Sequence, residues 1–204
     1  MKKIITISLT LAFCLLTVQC DQGFEDLNEN PNAALQLEPG PKLTAAFLFA
    51  AGDRFENWRG NLIYSSMLIQ HTAATGGVWV GGKYLYNAQW SGAWFERGYN
   101  DHVKSIEDLL SQLRENADGA FTEEMIAIAR IHRVFVYHKI TDLYGDVPYS
   151  EAGKGFSESI FLPKYDPLSE IYADMLNELS EATAALSDGT SQFGSADILF
   201  QGDL

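Results

Sequence analysis

Apolar residues recur along this chain at steps of three and four, the period of a helix with one buried face. Val103, Ile106, Leu110 and Leu113 follow that rhythm, and Asp101 stands where a helix cap is expected. Leu168, Ile171, Met175, Leu179, Ala182 and Leu186 repeat it, with Asp166 as the cap, Pro167 at the first helical position and Asp188-Gly189 as the stop. Between these runs, Thr122 followed by Glu123 and Glu124 opens a helix that reaches Leu143 or Tyr144. Its Val134-Phe135-Val136-Tyr137 segment is apolar on more than one face, which predicts a central helix packed on several sides. Upstream, Pro41 opens a helix through about Trp58 that carries Leu43, Phe47 and Ala50 or Ala51. Gly60 is read as a reset, and 62–75 as a second helix ending at Gly76-Gly77.

Residues 76–100 break the rhythm, being rich in glycine and aromatic residues without a clean period. No segment sustains strand alternation. The best short strand candidate is 83–86, within GGVWVGGKYLY, which would make a small hairpin. The pattern therefore predicts an all-α fold of antiparallel helix pairs with short connections, of the kind that stack into a superhelix. The pair 101–116 and 122–144 has roughly tetratricopeptide size.

The chain ends change the picture more than the overall composition does. Lys2 and Lys3 precede an apolar run over 4–18, too short for a bilayer span of about 20 residues but suited to a signal peptide. Thr17-Val18-Gln19-Cys20 then resembles the lipobox of bacterial lipoproteins, with Gln19 in the slot that usually holds a small residue. The expected organisation is a signal peptide over 1–19, a lipidated Cys20 and acidic tether over 20–40, and a helical domain over 41–204. The two cysteines, Cys14 and Cys20, both belong to the targeting region, so the mature domain has neither a disulfide nor a cysteine nucleophile. The net charge of −13 argues against nucleic-acid partners and against electrostatic attraction to anionic lipid, leaving the lipid chain as the membrane attachment. The apolar run Ile198-Leu199-Phe200 near the last residue reads as the middle of a longer protein, with a C-terminal half expected beyond it.

One abrupt break asks for chemistry. KITDLYGDVPYSEA (139–152) stops a helix among Asp142, Tyr144, Gly145, Asp146, Pro148 and Tyr149. Gly145 suits a left-handed C-cap, and Pro148 forces Val147 extended, so a mechanical explanation suffices. A calcium loop needs at least about six regularly spaced oxygen ligands, which Asp142, Asp146 and Glu151 do not supply. A glycosidase pair is possible in principle, but nothing singles out two carboxylates from an acid-rich chain. His71, His102, His132 and His138 lack metal-ligand spacing. There is no HExxH, GxSxG or phosphate-cradling loop. No cofactor or metal is implied.

ITDLYGDVPYSEA, followed by PKYDPLSEIYADMLNELSEATAAL, resembles the SusD/RagB family of nutrient-binding outer-membrane lipoproteins. The start FEDLNENPNAA is similar to that family's acidic tether, and ADILFQGDL to the point before its next core helix. The resemblance implies an α-superhelical lid over a SusC-type TonB-dependent transporter, anchored by lipid to the outer membrane and exposed at the cell surface. It implies capture of an oligosaccharide or peptide and no catalysis. The break would then be scaffold, with the ligand bound elsewhere. A sugar binder gains most from flat aromatic faces and a few amides or carboxylates. Trp79, Tyr84 and Tyr86, set among glycines, with Asn87, are the binding candidates, while Trp90, Trp94 and Phe95 fall at core spacing. The alternatives are a lipid-anchored helical-repeat scaffold for a protein partner and, more weakly, an α-helical glycosidase.

Overall fold

Helix follows helix in the computed structural model, which describes residues 37–204 apart from 78, 80, 116–118, 120, 156 and 187–188. The segment expected to be a signal peptide, Cys20 and most of the expected acidic tether lie outside the described residues. Helix α1 spans Pro39–Ala51, beginning two residues before the expected Pro41. After it comes a wide-wound π-helix, π1 (Phe55–Ser65), which runs into the single turn α2 (Ser66–Leu68). Two short helices follow, α3 (Ala88–Ser91) and α4 (Ala93–Arg97). A second π-wound segment, π2 (Gly98–Val103), joins α4 to α5 (Lys104–Arg114). The long α6 spans Glu123–Tyr144 and α7 spans Leu168–Ala185. This is the all-α, tetratricopeptide-like arrangement that the periodicity predicts.

Packing follows the apolar stripes. Helix α6 takes α5 on one side and α7 on the other, and α1 lies against α5. Leu43 and Phe47 of α1 meet Ile106, Leu109, Leu110 and Leu113 of α5 and Met125 and Ala129 of α6 in one core. Val134, Val136, Tyr137 and Ile140 of α6 meet Ile171 and Met175 of α7 in a second. The multi-faced apolar run of α6 is thus explained, because it serves both cores. A third, smaller core joins Ile63 and Met67 to Trp90, with Trp58, Tyr64 and Trp79 packed against it.

Several local expectations are corrected. Gly60 does not reset a helix; it sits inside π1, where the wider winding keeps the chain helical. Asp101 caps nothing, because the chain is already helical through π2, and its carboxylate pairs with Arg97 at 3.0 Å. Residues 83–86 form no strand. Gly81–Lys83 is a 3₁₀ turn, and Tyr84 has a φ of 56°. The strands that exist among the described residues are β1 (Val147–Pro148) and β2 (Tyr165–Asp166), paired antiparallel with Val147 opposite Asp166 and Pro148 opposite Tyr165.

That pair belongs to a lock around the break. Gly145 ends α6 at φ 77° and ψ −121°, a region comfortable only for glycine, with its N–H on the Thr141 carbonyl at 2.7 Å. Asp166 does not cap α7 as expected. Its carboxylate reaches back across the sheet, accepting the Tyr149 N–H at 3.2 Å and the Ser150 N–H at 2.7 Å, with the Ser150 hydroxyl at 2.8 Å. Asp146, from the other side of the break, accepts the Leu168 N–H at 2.9 Å and so caps α7. The two aspartates have exchanged partners, which ties the end of α6 to the start of α7. Tyr149 and Asp142 add to the tie. The Tyr149 hydroxyl donates to Asp174 at 2.6 Å, and the Tyr172 hydroxyl donates to Asp142.

Asp166 is buried, which opposes its charge, yet the Ser150 N–H and hydroxyl, the Lys164 ammonium and the Tyr149 N–H hold its carboxyl below the usual range. A depressed carboxyl contributes stability above its unfolded pKa of about 3.9 and loses it as pH falls through the folded value. Asp166→Asn is therefore expected to cost about 1–3 kcal/mol at pH 7. It should also flatten the acid limb of a urea-denaturation profile recorded from pH 6 to pH 2. An unchanged acid limb would contradict the lock.

Candidate functional site

The two π-wound segments lie together and place one titratable side chain each in the interior. Glu56 of π1 and His102 of π2 are both buried, with Oε1 and Nε2 3.0 Å apart. The other Glu56 oxygen accepts the Asp53 N–H at 3.1 Å. Burial, followed by the side-chain hydrogen bond with Asp53, pushes the Glu56 carboxyl up to about 7. Burial, followed by the Lys139 charge, pulls the His102 imidazole down to about 4. At neutral pH the contact is thus a hydrogen bond to a neutral histidine, and an ion pair between the two is disfavoured.

This interior group supports Trp94. The His102 ring meets the indole edge-on at 5.7 Å between centroids, and the Lys139 ammonium stands 3.9 Å over the indole face. Lys139 also donates to the Ala50 carbonyl at 2.8 Å, and the indole N–H donates to Asn61 at 2.9 Å. Glycine lets the backbone approach closely here: a Cβ at Gly52 or Gly60 would stand 2.7 Å from the indole. Trp94 is consequently held by its N–H, by the Lys139 and His102 contacts and by two close backbone approaches.

Above Trp94 opens an aromatic cleft of about 670 Å³. Trp90 and Trp94 are its buried base, Tyr64, Phe95 and Tyr144 are half-buried in it, and Tyr86 and Tyr165 are 79% and 61% exposed. Leu68 and Leu143 add aliphatic surface, and Ser65, Ser91 and Glu96 add polar groups. Each wall has a local cause. Asn87 accepts the Trp90 N–H at 3.0 Å and so caps the short helix that carries Trp90. The Tyr144 hydroxyl donates to the Ser91 carbonyl at 2.7 Å and accepts the Phe95 N–H at 3.0 Å, pinning α6 to α3 and α4. Tyr165 is carried by β2, opposite Pro148, whose carbonyl accepts the Tyr99 hydroxyl at 2.6 Å.

Of the four binding candidates, only Tyr86 lines this cleft. Asn87 acts beside it as the cap. Trp79 lies beneath, edge-on to Trp58 at 5.6 Å and tilted against Trp90 at 5.9 Å. Tyr84 is exposed elsewhere, its hydroxyl accepting from Gln70 at 2.6 Å. From the break itself, Tyr144 also lines the cleft. Tyr64, Tyr165 and Glu96 were not among the candidates. Tyr165 carried a readable signal, an aromatic in a short loop between Pro163 and a helix start. Tyr64 carried none, because inside a helical run its ring is indistinguishable from core.

Other hollows open on the fold: one of about 890 Å³ is lined by side chains of both charges, among them Lys104, Asp108, Arg114 and Lys154, with Phe49, and two more offer weaker chemistry. One of about 770 Å³ between α6 and α7 is lined by charged side chains, several of which pair with one another. Arg133 there binds Glu107 at 2.6 Å, Glu178 at 2.7 Å and the Tyr149 hydroxyl at 2.8 Å, and Arg130 binds Glu181 at 2.6 Å. A ligand there would have to displace formed ion pairs. The other is an apolar groove at Phe47, Ile128, Phe135, Leu199 and Phe200, with almost nothing to orient a polar ligand. Among the described residues no cluster of His, Cys, Asp and Glu is arranged to hold a metal.

The Glu56 and His102 shifts have opposite pH signatures. The raised carboxyl imposes a folding cost that grows from about pH 4.3 to 7, whereas the lowered imidazole imposes one that grows as pH falls from about 6.5 to 4. Glu56→Gln keeps an acceptor for Asp53 and supplies a donor to His102. It is expected to stabilise the protein on the order of 2 kcal/mol at pH 8 and to change little at pH 4. Thermal unfolding of both forms across that range is the check; parallel profiles would contradict the assignment.

Comparison with known proteins bears on the fold and the family. Residues 32–204 match the family model SusD-like_2, described as starch-binding associating with outer membrane. A chitin-binding protein of solved structure is 31% identical, with a TM-score of 0.69 over 81% of this chain and 35% of its own. A Bacteroidetes SusD-like structure is 26% identical, with a TM-score of 0.65 over 81% of this chain and 30% of its own. A chitin-binding SusD homologue from Flavobacterium johnsoniae shares the fold, at 20% identity and a TM-score of 0.61 over 78% of this chain and 34% of its own. The chain spans about a third of the length of these structures. No curated protein matches it in sequence. The chain belongs to the SusD-like family.

Proposed function

We propose that this SusD-like chain captures glycans at the outer membrane, holding them in the aromatic cleft for uptake by a partner transporter. The observation that carries the reading is the cleft itself. Tyr86 and Tyr165 expose their rings from segments far apart in sequence, over a base of Trp90 and Trp94. Pyranose rings present apolar C–H faces that suit such surfaces, while serine hydroxyls and a carboxylate orient the ring hydroxyls. The description of the family as starch-binding and the chitin-binding name of one structural relative support a carbohydrate over a peptide.

Capture without turnover fits the residues. Glycoside hydrolysis ordinarily uses two carboxyl groups facing the bond, and Glu96 is the one carboxylate among the described residues lining the cleft. A lipid on Cys20 would supply the membrane attachment, and a SusC-type TonB-dependent barrel would supply transport. Both are part of the proposal and rest on the leader sequence and on family membership.

Tyr86→Ala and Tyr165→Ala are each expected to weaken glycan affinity about three- to tenfold, without shortening the oligosaccharide on prolonged incubation. Calorimetric titration with soluble starch and with an N-acetylglucosamine hexamer, followed by chromatography of the sugar, measures both outcomes. Undiminished binding by the double variant would contradict the cleft, and shortened oligosaccharide would contradict a binding role.

A further inference from the structure

We infer that Glu96 makes the cleft selective by charge, so that its ligand is an uncharged or amino-bearing pyranose oligomer and acidic glycans are rejected. The inference rests on the cleft being the glycan site. Its basis is the inventory of groups around the hollow. Among the described residues that line it, Glu96 is charged, and none is lysine, arginine or histidine. An acidic sugar entering there would lose water around its carboxylate or sulfate and meet only a charge of its own sign.

Four cations close in sequence or in contact to lining residues are committed elsewhere, and Lys83, three residues before Tyr86, does not line the hollow. Arg97, the neighbour of Glu96, pairs with Asp101 at 3.0 Å and lies over the Phe55 ring. Arg59 also stacks on Phe55, at 4.4 Å. Lys139 is held over the Trp94 ring by the Ala50 carbonyl and does not line the hollow. Lys164, next to Tyr165, turns its ammonium to Asp166 at 3.1 Å and faces the charged hollow between α6 and α7. Binding an anion would require one of these contacts to break. Glu96 is exposed and free to approach a ligand ammonium. The chain's net charge of −13 adds a background field of the same sign.

One like-charge contact near 5 Å in a water-rich cleft is worth roughly fivefold in affinity, and the effect fades as salt shortens the screening length below about 8 Å. Salt dependence separates this mechanism from exclusion by shape, which is indifferent to ionic strength.

The test is calorimetric titration of the full chain with four probes: soluble starch, an N-acetylglucosamine hexamer, a glucosamine hexamer at mildly acidic pH, and a galacturonate hexamer. At low salt the galacturonate hexamer is expected to bind at least fivefold more weakly than the tightest neutral probe, and the gap should narrow at high salt. Glu96→Gln is expected to narrow it about threefold or more, and Glu96→Lys to reverse the order of the glucosamine and galacturonate hexamers. Circular dichroism of both variants confirms that they remain folded. Galacturonate binding as tight as neutral binding, and lost in Tyr86→Ala, would overturn the charge selectivity while leaving the cleft reading intact. Failure of all four probes to bind, or binding unaffected by Tyr86→Ala and Tyr165→Ala, would overturn the cleft reading itself.

Discussion

Two aspartates that bind across a helix break hold this structure in register. Asp146 caps the helix beginning at Leu168, and Asp166 gathers the N–H groups of Tyr149 and Ser150. A carboxylate bound to main-chain donors is among the stronger hydrogen-bonding arrangements available in water-excluded surroundings. Here each carboxylate also closes a helix end or turn that would otherwise leave its donors unpaired. The consequence reaches the surface. Because β1 and β2 are fixed against each other, Tyr165 has a defined position opposite Pro148. Because α6 ends where it does, Tyr144 reaches Ser91 and Phe95. The lock and the cleft wall share residues.

A second constraint works from below. Trp94 is enclosed by an ammonium, an imidazole, an amide oxygen and two close backbone approaches. Such enclosure leaves the ring few conformations, and a rigid base lowers the entropy a ligand must give up on docking. The cost is the burial of Glu56, His102 and half of Lys139. That cost is moderated because Glu56 and His102 share a hydrogen bond and need not both be ionised. The π-winding of both segments is what brings these groups together, in keeping with the tendency of such winding to accompany sites with a role.

Much of this was legible in the sequence, where one period governs one face. The stripe Val103, Ile106, Leu110, Leu113 is buried as its spacing predicts, as are Ile171, Met175 and Ala182 of the second stripe, whereas Leu168 at its start is exposed and Leu179 and Leu186 are half-buried; the two-faced α6 does pack on two sides. Trp90 and Trp94 are core, as three-to-four spacing suggests, whereas Phe95, grouped with them by that spacing, is half-buried and lines the cleft. Local capping rules failed where tertiary partners intervened. Asp166 has the sequence position of a cap, but the sheet offers it better donors, and Asp101 is bypassed because π2 keeps the chain helical upstream. The cleft was half legible. Tyr86 stands out as an aromatic among glycines, whereas Tyr64, Tyr144 and Tyr165 join it only through contacts between distant segments. Trp79 shows the converse: its glycine-rich setting suggests exposure, yet two other tryptophans cover it.

The most direct test of the account is a crystal structure of the full chain with a bound oligosaccharide. The expected result is a sugar ring lying against Tyr86 and Tyr165, above Trp90, with the lock of Asp146 and Asp166 unchanged. A sugar seated instead among the arginines and glutamates between α6 and α7, with the aromatic cleft empty, would contradict it.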